Sequence, residues 1–153
     1  MRRLIKVPAL LPVLFALGAA LFILRGITTG DLWSWLIAAL FIYFTVRYFV
    51  DATIQSRPVA GVDDHLAQGG AVVFWRPGCP YCGALIRALG SELRNAPYWV
   101  NIWDEPEAAE RLRGYNDGNE TVPTLVTSAG HVVATDTAAA VETIRTATPA
   151  ERA

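Results

Sequence analysis

The chain has 153 residues, 53% of them apolar, and a formal net charge of −1. That length suits about one ordinary domain. The charge is unevenly divided, however: residues 1–61 carry six basic and two acidic groups, whereas residues 62–153 carry seven basic and twelve acidic, a net charge of −5. An acidic carboxy-terminal portion excludes the basic footprint of a nucleic-acid binder.

The apolar residues gather near the amino terminus. Residues 7–24 (VPALLPVLFALGAALFIL) form 18 positions without a charge, and residues 32–50 (LWSWLIAALFIYFTVRYFV) form 19 positions with one, Arg47. At 1.5 Å per residue such segments make helices of roughly 27–29 Å, close to the hydrocarbon thickness of a bilayer. A signal peptide would need a small-residue cleavage site, which Leu24-Arg25-Gly26 does not supply. A soluble core helix would need a polar face, which the second segment lacks. The pattern predicts a two-helix transmembrane hairpin over residues 1–52, with spans at about 7–24 and 32–50. Residues 25–31 read as a tight polar turn. Trp33, Trp35, Tyr43 and Tyr48 suit the headgroup level, and Arg47 can carry its charge to the interface. Gly18, Ala19 and Ala20, facing Ala38 and Ala39, predict close helix packing. Basic residues flank both outer ends (Arg2, Arg3, Lys6; Arg47, Arg57), and the turn holds Arg25 offset by Asp31. The positive-inside rule then places both termini in the cytoplasm.

Residues 53–61 read as a polar linker ending in the breakers Pro58 and Gly61. A second domain follows over residues 62–147, with a short tail at 148–153. Its elements alternate. Residues 63–68 suit a short helix capped by Asp63, with Gly69 beyond its end. Residues 71–75 (AVVFW) are a continuous apolar run, the mark of a strand buried on both faces. Residues 80–95 read as a helix with Leu85, Ala88, Leu89 and Leu93 on its core side. Residues 98–103 suit a strand, 105–115 a helix, and 116–119 a loop. Strands at 124–127 and 131–134 flank Ser128-Ala129-Gly130, a hairpin signal. Asp136 or Thr137 caps a last helix through Ile144. The order β-α-β-α-β-β-α predicts a mixed sheet: crossover helices make the first strands parallel, and the final hairpin is antiparallel. Trp75, Trp99 and Trp103 are expected in the sheet core or at its edge, with a place in a substrate groove as the alternative.

Both cysteines lie in one stretch, Arg76-Pro77-Gly78-Cys79-Pro80-Tyr81-Cys82. Cys79 follows the buried strand and directly precedes a helix, whose amino terminus offers N–H groups and partial positive charge. That environment favours the thiolate, the attacking species of disulfide exchange. Pro80 suits the first helical position, and Cys82 stands one turn on, within reach of Cys79. Cys79 is therefore expected to be the exposed attacking thiol and Cys82 the inner one. Arg76 adds positive potential or a carboxylate partner. A structural bridge would close too small a loop to stabilise much. A zinc site needs about four ligands, and only His65 and His131 are on hand, without ligand spacing. A CxxC opening a βα unit points to redox chemistry, with no metal.

The segment FWRPGCPYC, followed about forty residues later by TVPT, resembles the glutaredoxin branch of the thioredoxin superfamily, whose dithiol members use Cys-Pro-Tyr-Cys as active site. The stretch RLRGYNDGNETVPTLVTSAG looks particularly like mycoredoxins, relatives that use mycothiol. The resemblance covers residues 71–144 and implies a thioredoxin-like, glutaredoxin-type α/β fold: a mixed four-stranded sheet with flanking helices. It implies that Cys79 is the nucleophile, Cys82 the resolving thiol and Pro123 a cis-proline facing them. Thr121 and Val122 precede that proline, and the Val122 backbone pairs with the thiol co-substrate. Arg76 stands where many glutaredoxins carry Lys, Tyr81 lies at the rim, and Asp136 and Thr137 lie where the family binds the co-substrate's carboxylate. Val133-Ala134-Thr135 stands where glutaredoxins often carry Gly-Gly, and Pro80 where mycoredoxins carry another residue. The expected function is a membrane-anchored, cytoplasm-facing thiol-disulfide oxidoreductase acting on protein disulfides or mixed disulfides. It needs no tightly bound cofactor and uses mycothiol or glutathione as co-substrate. The alternatives are an outward-facing thiol oxidase or isomerase, an iron–sulfur-binding glutaredoxin without turnover, and a tethered interaction module whose CxxC is vestigial.

Overall fold

A computed structural model of the chain describes residues 7–147; Arg2, Arg3, Lys6 and the tail 148–153 lie outside the described residues. The chain divides into two compact units, Met1–Thr53 and Ile54–Ala153.

The first unit is a helical hairpin of α1 (Val7–Thr29) and α2 (Leu32–Ala52). Both helices are long and apolar enough to cross a membrane. The expected turn over residues 25–31 shrinks to Gly30 and Asp31, because local side chains prolong α1. The Thr28 hydroxyl donates to the Arg25 carbonyl (2.9 Å). Gly30, in the left-handed region (φ 70°), then closes the helix by donating its N–H to the Gly26 carbonyl (2.9 Å). Asp31 caps α2, accepting from the Ser34 N–H and hydroxyl, both at 2.8 Å. Its carboxyl is lowered to about 2, first by the Thr29 hydroxyl and then by Ser34. Arg47 pairs with Asp51 at 3.5 Å.

The seam of the hairpin differs from the expected small-on-small contact. Ala19 and Ala38 are buried as expected, but Ala20 and Ala39 are exposed. The seam is instead aromatic. Phe15 packs on Phe41, Phe44 and Tyr48, and Phe22 packs on Phe41, with centroids 5.3–5.8 Å apart. The glycines of α1 make room for these rings. A Cβ at Gly18 would lie 2.6 Å from the Phe41 ring, and one at Gly26 would lie 2.9 Å from the Trp35 indole. Gly18→Leu should therefore overpack the seam by about 1–3 kcal/mol, whereas Ala20→Leu, on exposed surface, should not. Thermal melts of the full chain in detergent, followed by circular dichroism, compare the two; equal melting would contradict the glycine–aromatic seam.

The second unit is built on a four-stranded sheet ordered β2-β1-β3-β4. Its strands are β1 (Val72–Trp75), β2 (Tyr98–Asn101), β3 (Thr124–Thr127) and β4 (Gly130–Val133). The central strand β1 is buried at all four positions. It runs parallel to β2, with Phe74 opposite Val100, and antiparallel to β3, with Phe74 opposite Thr124. Strand β2 ends at Asn101, two residues earlier than expected, because Asn101 starts a turn.

The helices are α3 (Val62–Ala67), α4 (Pro80–Leu93), α5 (Pro106–Tyr115) and α6 (Thr137–Ala147). Successive strand residues point to opposite faces. Phe74 meets Tyr115 at the end of α5. Trp75 meets Trp99, whose indole N–H donates to the Arg94 carbonyl just past α4 (2.7 Å). Helix α5 thus covers one face, and α4, packed on α6, covers the other. Helix α4 buries Cys82, Leu85, Ile86 and Leu89. Gly90 (φ 64°, ψ −163°) breaks its geometry, so Leu93 is only half-buried, and Ala88 faces solvent rather than the core. Asp63 lies inside the first turn of α3 instead of capping it. It forms a two-pronged ion pair with Arg111 of α5. The hydrogen bonds from Arg111 hold the Asp63 carboxyl below its ordinary value, and the same bonds raise Arg111.

The expected polar linker is partly built into this unit. Ile54 is buried, and residues 54–58 run along the outer edge of β2. Arg57 N–H donates to the Trp99 carbonyl (2.8 Å), and Asn101 N–H donates to the Ser56 hydroxyl oxygen (2.9 Å). The Tyr98 hydroxyl donates to the Pro58 carbonyl (2.7 Å), and the Arg57 guanidinium lies over the Tyr98 ring (5.1 Å).

Candidate active site

The site begins where buried β1 gives way to α4. Gly78 adopts φ 80°, a left-handed conformation that side chains resist. This turn delivers Cys79 to the N-cap of α4 with extended backbone (φ −72°, ψ 121°) and Pro80 in the first turn. The Cys79 sulfur accepts the Cys82 N–H at 3.3 Å, the role a Ser or Asp oxygen plays at an ordinary helix start. The two cysteines are in the dithiol form. Cys82 is fully buried, and Cys79, expected to be exposed, is only 7% exposed. Its cover includes the backbone of the loop before β3: the thiol donates to the Val122 carbonyl across 3.5 Å. The order of access still favours Cys79.

The Val122–Pro123 peptide is cis. Its loop is held from both sides. Ala134 N–H, just past β4, donates to the Pro123 carbonyl (2.8 Å). The Asn116 side-chain amide, just past α5, donates to the Thr121 carbonyl (3.1 Å) and the Thr124 hydroxyl (2.9 Å). That hydroxyl in turn donates to the Thr121 carbonyl (2.8 Å). Val122 and Pro123 are buried while Thr121 is exposed.

The remaining residues named from sequence fall into two groups. Arg76 and Tyr81 stand at the rim, Tyr81 being largely exposed. Asp136 caps α6, its carboxylate accepting from Ala138 N–H (2.9 Å) and Ala139 N–H (3.1 Å), and Thr137 begins that helix. The N–H groups that would meet a co-substrate carboxylate are thus already bonded to Asp136. Among the described residues no group of three or more His, Cys, Asp or Glu gathers to hold a metal.

Two contributors, Asn101 and Asn116, carry no role in the expectations drawn from the sequence, and Trp103 departs from its main one. Trp103 belongs neither to the sheet core nor to its edge: it is 62% exposed, and the Arg76 guanidinium lies 5.6 Å from its ring centroid. The turn that presents it is tied by buried Asn101, which accepts the Trp103 N–H (3.1 Å) and donates to Asp104 (2.9 Å). Asn at the head of a four-residue Asn-Ile-Trp-Asp segment is a turn signal that could have revealed this. Asn116 carried no such signal beyond following a helix.

A mixed β2-β1-β3-β4 sheet with helices on both faces, and a cysteine pair opening the helix after its central strand, is a thioredoxin-like fold. A family model described as Glutaredoxin matches residues 71–132, within this unit. No curated protein and no solved structure matches the chain.

Asn101→Ala removes both turn bonds from a buried position and should cost about 1–2 kcal/mol. For a domain of this size each kcal/mol lowers the melting temperature by roughly 4–8 °C. Calorimetry should find that loss, and an unchanged melting temperature would show that the turn does not depend on Asn101.

Proposed function

We propose that the protein is a membrane-anchored thiol-disulfide oxidoreductase of glutaredoxin type, with its redox unit facing the cytoplasm. The observation that carries the reading is the Cys79 sulfur at the N-cap of α4, bonded to the Cys82 N–H and set against the Val122 carbonyl. A helix start stabilises the negative sulfur. Arg76 makes no ion pair among the described residues, so its charge is available at the rim.

The Cys79 thiolate attacks one sulfur of a disulfide. The S–S bond breaks, a Cys79–substrate mixed disulfide forms, and the other substrate sulfur leaves as a thiolate. Cys82 then attacks the Cys79 sulfur, releasing the second substrate thiol and leaving a Cys79–Cys82 disulfide. Two equivalents of a small thiol, mycothiol or glutathione, return the pair to the dithiol and become a disulfide themselves. In a monothiol route the small thiol resolves the mixed disulfide without Cys82. Val122 N–H has no hydrogen-bond partner among the described residues, which leaves it available to the backbone of a bound co-substrate. The paired apolar helices support two membrane spans, and the basic outer flanks support a cytoplasmic redox unit.

Cys79→Ser should abolish reduction of every disulfide. Cys82→Ser should keep substantial turnover of the mixed disulfide of glutathione and 2-mercaptoethanol yet lose activity on insulin disulfides. Equal loss of both substrates in Cys82→Ser would make the dithiol route obligatory and the enzyme thioredoxin-like in mechanism.

Orientation is tested separately, in a Cys79→Ser/Cys82→Ser background carrying Ser128→Cys in the exposed β3–β4 turn. A membrane-impermeant maleimide should label this cysteine only after cells are permeabilised. Labelling of intact cells would place the redox unit outside.

A further inference from the structure

We infer that Asn116 is a positioning residue of the redox site: its side chain clamps the Thr121–Pro123 loop in the place where a disulfide must lie to reach Cys79. The inference rests on the oxidoreductase reading for its catalytic consequence, but not for its geometry.

Asn116 sits at the carboxy-terminal end of α5, where its own N–H still bonds the Leu112 and Arg113 carbonyls (both 3.2 Å). Its carbonyl accepts the Asn119 N–H (2.9 Å) and the Asn119 side-chain amide (3.1 Å), which curls residues 117–119 beneath it. The side chain is left to reach forward. One amide group serves two acceptors, the Thr121 carbonyl and the Thr124 hydroxyl, and that hydroxyl returns a bond to the same Thr121 carbonyl. The three groups close a triangle whose corners bracket Val122 and Pro123. Thr124 is wholly buried, and its backbone is fixed in β3 opposite Phe74 and Val133, so the triangle is anchored to the sheet.

Val122 is the residue so enclosed, and its carbonyl stands 3.5 Å from the Cys79 sulfur. A disulfide approaching that sulfur must lie alongside Val122. The other ties of the loop lie on its Pro123 side and at the thiol: Ala134 N–H donates to the Pro123 carbonyl (2.8 Å) and Cys79 to the Val122 carbonyl, which leaves the Thr121 side to Asn116 and Thr124. Pro123 has no N–H to give, and Thr121 is exposed. The Arg113–Glu120 ion pair lies in solvent and stops one residue short of the triangle; exposed pairs of this kind contribute little. Without the clamp the Thr121–Val122 backbone would sample positions that do not complement the substrate. Since Asn116 touches neither sulfur, its loss should weaken substrate capture more than the exchange step.

The test uses the full chain in detergent, with the glutathione–2-mercaptoethanol mixed disulfide as substrate. Asn116→Ala and Thr124→Val should each raise KM at least fivefold with kcat within about threefold of the parent. Thr124→Ser, which keeps the hydroxyl, should restore KM to within twofold. The Asn116→Ala/Thr124→Val double variant should be no worse than the poorer single variant, because one triangle is broken once. Arg113→Gln should leave KM within twofold. Hydrogen exchange over residues 117–123 should quicken at least tenfold in Asn116→Ala. A KM for Asn116→Ala within twofold of an active parent, multiplying effects in the double variant, or a matching rise in Arg113→Gln would each overturn the clamp. A parent inactive on the mixed disulfide would instead defeat the oxidoreductase reading, and the exchange measurement alone would then decide the clamp: quickened exchange upholds it, unchanged exchange overturns it.

Discussion

A helix that starts on a sulfur atom is the arrangement on which the second unit turns. An amino-terminal helix end has N–H groups with no internal partner, and Ser, Thr or Asp oxygens usually meet them. At α4 the partner is the Cys79 sulfur, larger and more polarizable, held by Pro80 on one side and the left-handed Gly78 on the other. The same bond that completes the helix also favours negative charge on the sulfur. Folding and reactivity draw on one contact here, so a residue that capped better would abolish the chemistry.

That contact needs a stiff base. Strand β1 is covered on both faces and both edges, which fixes the height at which the chain leaves the sheet. The loop before β3 is brought over the same end because β3 runs antiparallel to β1. Its last residues therefore arrive beside the first residues of α4. Two elements about forty residues apart in sequence meet at a single sulfur–carbonyl distance of 3.5 Å.

Much of this frame was legible in the sequence, and what was not has physical reasons. The unbroken VVFW run, short and bounded by Gly and Pro, fits a doubly covered strand, and Pro80 after Cys79 suits the first position of a helix. Residues 124–127 pair with the next strand across a short turn, a local signal, so the expected strand and the observed one coincide. The misreadings involve residues whose partners lie far along the chain or whose conformation defeats a local preference. Asp63 looks like a cap until Arg111 arrives from 48 residues away. Leu93 fits the helical period, but Gly90 rotates it off the core. Trp103 is apolar by composition, yet the Asn101 turn lifts it into solvent beside Arg76. In the hairpin, the small residues of α1 were legible, but not that rings rather than other small residues would fill the space beside them.

The strap over residues 54–58 bears on where the redox unit begins as a piece of folded matter. Strand β2 is the outermost strand on its side, and a bare outer strand offers its unpaired backbone groups to any other chain. Ser56 and Arg57 engage the Asn101 N–H and the Trp99 carbonyl that would otherwise be presented in this way. A recombinant fragment cut at residue 62, where the first helix of the unit starts, would discard that cover. It would retain every cysteine and every residue of the cis-proline loop, yet carry a sticky margin prone to self-association. The natural seam for excision lies ahead of Ile54, within the stretch that composition alone marks as dispensable.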